Sequence, residues 1–285
     1  MKNKNILNNE KAHFSHVYFY KLLFEKKPKL PNIEVIRKHL KKFYNDVDII
    51  SKEDNIYNIA INDLKVKYED DKEIPAQLLM PESIEFDYTS IDDKVYSQMF
   101  DIRNPKGIIE NCSYEIMISD FLSAGLDYKD RASLLNNWLM VALKLFEDCI
   151  AVYNEQSGKL LLRYQILNNT YPNNLRFLFS GVNIRIFSVE NSDDIIVDTL
   201  GMYAIGLPDI QYHFKNLDIK DIVSHALNTI AYIFDNGAVI KSGDTLRGFS
   251  DDVVWNCRYE NSLLKPYREI LDINTLEYAA GNRKN

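Results

Sequence analysis

The sequence predicts an α+β protein of two lobes, each a mixed or antiparallel sheet packed by amphipathic helices. Three observations carry that expectation. Short β-prone runs gather between residues 47 and 80 and again between 182 and 214. Apolar stripes at helical spacing lie near residues 33–44, 130–147 and 219–235. A length of 285 residues exceeds the common single-domain size and supplies an ample core without disulfides or structural metals.

Each element has a local reason. His16 to Phe24 is rich in aromatic and β-branched residues and is ended by the two prolines at 28 and 31, so it reads as a strand. Ile33, Ile36, Leu40 and Phe43 then recur at steps of three and four, with Arg37, Lys38, Lys41 and Lys42 on the opposite face, which makes one amphipathic helix with a basic back. That back reads as a docking surface for an anion or as a solvated face, and the solvated reading carries more weight because such faces are routine. Val47–Ser51, Ile56–Ile61, Leu64–Tyr68 and Ile74–Met80, separated by Asp, Asn and Lys turns, predict an antiparallel meander. The acidic stretch from Glu82 to Pro105 shows neither period and is read as the connection between a first lobe, 1–105, and a second, 106–285.

The second lobe opens with the strand Tyr114–Phe121. Asp127 and Asp130 then resemble a capping box before a long helix bearing Leu134, Leu135, Trp138, Leu139, Ala142, Leu145 and Phe146 on one stripe. Strand character resumes at Cys149–Tyr153, which suits a β-α-β crossover. Strands are expected at Val182–Val189 and Ile195–Ile205, and in the segment where Ile210, Tyr212 and Phe214 alternate with Asp209, Gln211 and His213. Asp218 and Gly237 bracket a further helix, and Ala238–Lys241, Val253–Tyr259 and Arg268–Ile273 read as closing strands.

Charge and cysteines narrow the setting. The net charge is −7, yet residues 1–44 carry eleven Lys and Arg against three Asp and Glu. Such asymmetry can mark an acidic partner, but nucleic acid is not expected, since the acidic remainder repels phosphate and no RNP-like, zinc-finger or basic-zipper signature occurs. Cys112, Cys149 and Cys257 are odd in number and widely spaced, which fits a reducing cytoplasm and buried, inert thiols. No stretch approaches the roughly 18 apolar residues of a membrane span, and no signal-peptide core follows Met1, so neither a membrane nor secretion is expected.

Thr199 to Phe214, TLGMYAIGLPDIQYHF, resembles the hallmark segment of the bacterial domain-of-unknown-function 4261 family. DYKDR at 127–131, IKSGDTLRGF at 240–249, WNCRYENSL at 255–263 and AAGNR at 279–283 are similar to other segments of that family. The first lobe is similar in layout more than in residues. The resemblance supplies a label and no catalytic residue to transfer.

Two constellations remain. Open β-α-β units bind ligands beyond the carboxyl ends of their strands, which would gather Ser119, Asp120, Asp127, Arg131, Asn154 and Glu155. The bland reading there is helix capping plus a surface Asp-Arg pair. Asp209, Gln211 and His213 project from one side of a strand, about 6–7 Å apart, and could form a ligand or partner surface or simply a solvated face. Asp221 and His225, one turn apart, could interact as an i, i+4 pair that raises the imidazole pKa modestly, an arrangement more often stabilising than catalytic. No HExxH, GxSxG or GxxxxGK[ST] motif is present, so no metal or cofactor is expected. The function predicted is a non-enzymatic module binding a protein or small molecule. The alternative is a metal-independent hydrolase or transferase that uses the carboxylates near Asp120 and Glu155.

Overall fold

The computed structural model describes residues 18–51, 56–67, 72–172 and 175–281. Two compact units divide them, 18–181 and 182–281, and the α+β class with two sheets holds. His16 and Val17 of the predicted first strand, Tyr68 of the meander, and Asn282 and Arg283 of the closing segment lie outside the described residues.

The first unit runs β1 (Phe19–Phe24), α1 (Ile33–Leu40), β2 (Val47–Ser51), β3 (Ile56–Lys67), β4 (Glu73–Pro81), β5 (Ile84–Glu85), α2 (Asp93–Tyr96) and α3 (Pro105–Glu110). It continues through β6 (Tyr114–Phe121), α4 (Tyr128–Leu145), β7 (Ala151–Asn154), β8 (Lys159–Leu162), α5 (Arg163–Leu167) and α6 (Arg176–Gly181). The strands make one sheet in the order β2-β3-β4-β6-β1-β7-β8, with β5 beside β6. Every pairing is antiparallel, so β6 and β7, both antiparallel to β1 between them, run parallel to each other, and α4 connects them as the β-α-β spacing predicted. The meander holds, with one difference. Ile56–Ile61 and Leu64–Lys67 are a single strand, kinked by a bulge between Ile61 and Lys65.

This topology moves the division of the chain. The boundary expected at 105/106 falls inside the first unit, because β4 pairs with β6 and β1 lies between β6 and β7, binding residues on both sides of it into one sheet. Nor is 82–105 a bare connection. Phe86, Met99 and Ile102 are buried together with Leu23, Ile109, Cys112, Ala151, Tyr153 and Leu160. Too few apolar residues at helical spacing signalled this, since the segment packs through short turns, where no period can develop. Helix α4 supplies a second core layer: Phe24 meets Phe146 edge-on at 5.5 Å between ring centres, and Trp138 Nε1 donates to the Leu79 carbonyl at 3.3 Å.

The second unit comprises β9 (Asn183–Ser188), β10 (Ile195–Leu200), β11 (Asp209–Phe214), α7 (Ile219–Asn236), β12 (Thr245–Arg247), β13 (Val254–Asn261) and β14 (Glu269–Asn274). The sheet order is β12-β13-β14-β11-β10-β9, antiparallel except for the β11–β14 pair. Asp218 caps α7 by accepting from the Lys220 N–H at 2.7 Å, and Ile222, Ala226, Ile230, Ile233 and Phe234 form its buried stripe. The predicted strand at 238–241 is absent. Its residues are irregular and lead into a turn at Ser242 and Gly243, where the Lys241 N–H is taken by Asp244 at 2.8 Å.

Met99 tests whether 82–105 belongs to the first unit's core. It is 2% exposed. Met99→Ala should cost about 2–5 kcal/mol in urea unfolding, since it opens a cavity in a packed cluster. A change within about 0.5 kcal/mol would return the segment to the role of a surface connection.

Candidate functional site

The polar side chains on β11 are not solvated. Asp209 and Gln211 are both 0% exposed, and His213 is half-buried. The alternation does set them on one side of the strand, but other segments of the second unit cover that side and supply partners to Asp209 and Gln211. Across the strands, register places Arg185 opposite Asp198, Asp198 opposite Gln211, and Gln211 opposite Asp272. Polar groups therefore form one transverse row through β9, β10, β11 and β14.

Two arginines and two aspartates bind this row together. Arg185 grips Asp198 through Nε at 2.9 Å and Nη2 at 2.5 Å, while its Nη1 donates to the Lys265 carbonyl at 2.9 Å. Arg268 donates through Nε to Asp209 Oδ2 at 2.8 Å. Its Nη2 reaches the Thr199 carbonyl at 2.6 Å and Asp198 Oδ2 at 3.2 Å, and its Nη1 reaches the Pro266 carbonyl at 2.9 Å. Both guanidiniums thus use every nitrogen. Asp209 also accepts from Thr199 Oγ1 and the Met202 N–H, each at 3.1 Å. The approach of that backbone depends on Gly201 at φ 137° and Gly206 at φ 87°, which bracket a 3-10 turn over Met202–Ile205 in conformations that side-chain-bearing residues avoid.

Burial pushes the Asp209 carboxyl above its ordinary value, and Arg268 and the Met202 N–H offset part of that rise. Burial likewise works against the Arg268 charge, yet Asp209 and Asp198 together outweigh it and hold the guanidinium above its ordinary value. Each charge is sustained by its neighbours and would be costly alone.

The same row fixes a loop. Gln211 accepts the Leu263 N–H at 2.8 Å, and Ser262 Oγ donates to the Leu264 carbonyl at 2.8 Å and accepts from the Arg268 N–H at 3.2 Å. Together with the Arg185 and Arg268 contacts to Lys265 and Pro266, these bonds tie 262–268 to the sheet at both ends and in the middle. Its tip stays in solvent: Tyr267 is 68% exposed and Leu263 46%.

His225 also departs from expectation. It turns inward rather than pairing with Asp221. Nε2 lies 2.8 Å from the Arg247 carbonyl and therefore carries the proton, which leaves Nδ1 to accept from the Tyr212 hydroxyl at 2.7 Å. Trp255 packs on the ring at 4.7 Å between centres. Burial lowers the imidazole pKa, where a carboxylate neighbour would have raised it, and the Arg247 carbonyl opposes only part of that shift. His213 sits apart, with Nε2 at 3.2 Å from Asp194 Oδ2.

In the first unit, Asp120 and Arg131 do meet, but as a buried pair rather than a surface one, 0% and 3% exposed. Asp120 accepts from Arg131 Nε at 2.7 Å, from the Tyr18 N–H at 3.0 Å and from Ser123 Oγ. Asp127 is the cap of α4, taking the Lys129 N–H at 2.9 Å, and Asn154 bonds the Tyr18 hydroxyl. Glu155 pairs with Lys21 at 3.1 Å instead, and Lys21 also lies 3.4 Å from Glu115. The carboxylates named for hydrolase or transferase chemistry are thus engaged in separate ion pairs. A depression of about 300 Å³ in this unit is lined by Glu25, Ile108, Asn111 and Ile150 and includes none of them.

Among the described residues, no three His, Cys, Asp or Glu side chains are grouped to hold a metal ion, and no helix is long and apolar enough to cross a membrane. All three cysteines are free and buried. Burial pushes Cys112 up to about 11, and Cys149 and Cys257 up to about 12, so none is a thiolate at neutral pH.

Two outcomes follow from these contacts. Asp209→Ala leaves Arg268 buried without its main partner and should destabilise the second unit by about 3–5 kcal/mol, whereas Asp251→Ala, in an exposed pair with Arg247, should stay within about 0.5 kcal/mol. Urea unfolding of both variants decides between a supporting network and a dispensable one. For His225, the folded pKa is depressed below the ordinary value of about 6.5, so the unfolded chain binds the proton more readily. Its contribution is present above about pH 6.5 and is lost as pH falls through the folded value. Wild type should therefore lose more stability between neutral and mildly acidic pH than His225→Gln does. Equal losses would show that the imidazole does not titrate with unfolding.

Residues 198–274 match the family described as Domain of unknown function (DUF4261), a span that contains Asp198, Asp209, Gln211, Arg268 and Asp272 but not Arg185. No curated protein and no solved structure matches the chain. The match to the domain-of-unknown-function 4261 family thus lies within the second unit and takes in the hallmark strand that resembles it.

Proposed function

We propose that the chain is a non-enzymatic binding protein whose second unit presents the 262–268 loop to a protein partner. The observation that carries this reading is the stapling of the loop. Arg185, Gln211, Ser262 and Arg268 hold its backbone at Leu263, Lys265 and Pro266, while Tyr267 and Leu263 stand out in water. A large exposed side chain on a rigid backbone loses little conformational freedom when it is covered, and Tyr is enriched among the residues that dominate binding energy. A cytoplasmic setting suits three unpaired thiols.

The buried charges support the same reading. General acid-base chemistry needs a titrating group within reach of substrate. Asp120, Asp198 and Asp209 are each enclosed and bonded to arginine, which suits them to positioning backbone. Asp209, Gln211 and Arg131 then act through what they hold rather than by touching a ligand.

Leu263→Ala with Tyr267→Ala tests the proposal. Both side chains are exposed, so the double variant should keep the wild-type unfolding midpoint to within about 0.5 kcal/mol. Affinity capture from the native extract, with wild type and variant in parallel, should lose a partner that Asp251→Ala retains. Capture of the same proteins in equal amount by both would remove the loop from consideration.

A further inference from the structure

A second surface lies on the first unit and owes nothing to the loop. Residues 25–44 hold seven Lys and Arg against two Glu, a local charge of +5 in a chain of −7. Arg37 is structurally occupied: its Nε donates to the Val47 carbonyl at 3.0 Å, and its other nitrogens lie 3.8 and 3.9 Å from Glu34 and Asp48. Lys26, Lys27, Lys29, Lys38, Lys41 and Lys42 are all exposed, and none has a carboxylate within ion-pair distance among the described residues. Three precede α1, Lys38 lies in its last turn, and Lys41 and Lys42 follow it directly.

The scaffold beneath them is fixed. Asn32 caps α1 by accepting from the Glu34 N–H at 2.8 Å, Ile33, Ile36 and Leu40 are buried, and Tyr44 is tied to α4 through the Asn137 amide at 3.1 Å. Two apolar side chains interrupt the basic face, Val35 at 42% exposed and Phe43 at 44%. Like charges gathered on α1 and the segments flanking it repel each other and gain from an anionic partner, which here would also cover Val35 and Phe43.

We infer that this face of α1 and the lysines preceding it dock an acidic segment of another protein, one that places apolar side chains between its carboxylates. Charge complementarity supplies the sign of the partner, and Val35 and Phe43 supply its apolar part. A bilayer is the weaker occupant, because membrane affinity scales with inserted apolar area and α1 has spent Ile33, Ile36 and Leu40 on the core. Nucleic acid is weaker too, since the face offers no exposed arginine free for bidentate phosphate or base contacts.

The test measures binding of a short fluorescein-labelled peptide rich in Glu and Leu to the full chain by anisotropy. A single-stranded oligonucleotide and phosphatidylserine vesicles serve as rival ligands. Wild type should bind the peptide more tightly than either rival, with affinity falling as salt rises. Lys38→Glu/Lys41→Glu/Lys42→Glu should weaken it about ten-fold or more, and Phe43→Ala several-fold. Reversing three exposed lysines elsewhere, Lys144→Glu/Lys220→Glu/Lys241→Glu, should change it no more than about two-fold. Equal loss in both triple variants, no peptide binding, or tighter binding of oligonucleotide or vesicles would each overturn the proposal. Circular dichroism of each variant checks the fold, and a misfolded triple variant is replaced by Lys38→Gln/Lys41→Gln/Lys42→Gln, which leaves the same outcomes readable.

Discussion

The contact between Arg268 and Asp209 organises the second unit. It joins β11 to the residue just before β14, and those two strands form the only parallel pair described in their sheet. Isolated from the network, either charge would meet a desolvation penalty of several kcal/mol. With Asp198 and Arg185 the charges balance at two of each sign, and the remaining donors find backbone carbonyls at Thr199, Lys265 and Pro266. A buried ion network is weak evidence for stability by itself, because well-packed apolar groups often do as well. What apolar groups cannot do is fix two carbonyls of an irregular loop, at Lys265 and Pro266, in a single geometry beside the Leu263 amide held by Gln211. That capacity connects the interior of the unit to its surface at Leu263 and Tyr267.

The first unit solves a related problem with different groups. Its long sheet buries β1 centrally, and the chain enters that strand at Tyr18, whose N–H is taken by Asp120. Arg131, from the first turn of α4, balances the carboxylate, so one ion pair ties the strand entry, the end of β6 and the helix start. Asp127 meanwhile caps that helix and leaves the pair undisturbed. The polar cluster at the carboxyl end of β6 is therefore spent on joining elements, although its position matches where many α/β proteins bind ligands. Charge on the opposite pattern occurs on and beside α1, where the exposed lysines have no ion-pair partner among the described residues, while Arg131, Arg185 and Arg268 are each paired.

Several of these residues left a trace in the sequence. VNIRIFSV and IIVDTL each carry one charge inside an apolar, β-branched run, and a charge in such a run must find a partner when the strand is buried on both faces. Arg185 and Asp198 were legible in that sense, and they prove to be partners. Arg268 was not, because it opens the strand expected at 268–273, and an arginine at a strand end is ordinarily solvated. His225 misled for a related reason: helical spacing offered Asp221 as a partner, but the imidazole lies on the side of α7 that meets Tyr212 and Trp255.

By itself the sequence determined the α+β class, the positions of the three principal helices and most strands, and the family resemblance within the second unit, because periodicity, caps and hallmark residues are local properties of the chain. It also determined which side of β11 holds Asp209, Gln211 and His213, since side chains alternate whatever surrounds them. Only the tertiary structure decided where the chain divides and whether that polar side faces water. Both depend on partners distant in sequence: β1 pairs with strands about 95 and 130 residues onward, and Asp209 meets Arg268 at a separation of 59. Burial and charge pairing are properties of such encounters, and no local pattern records them.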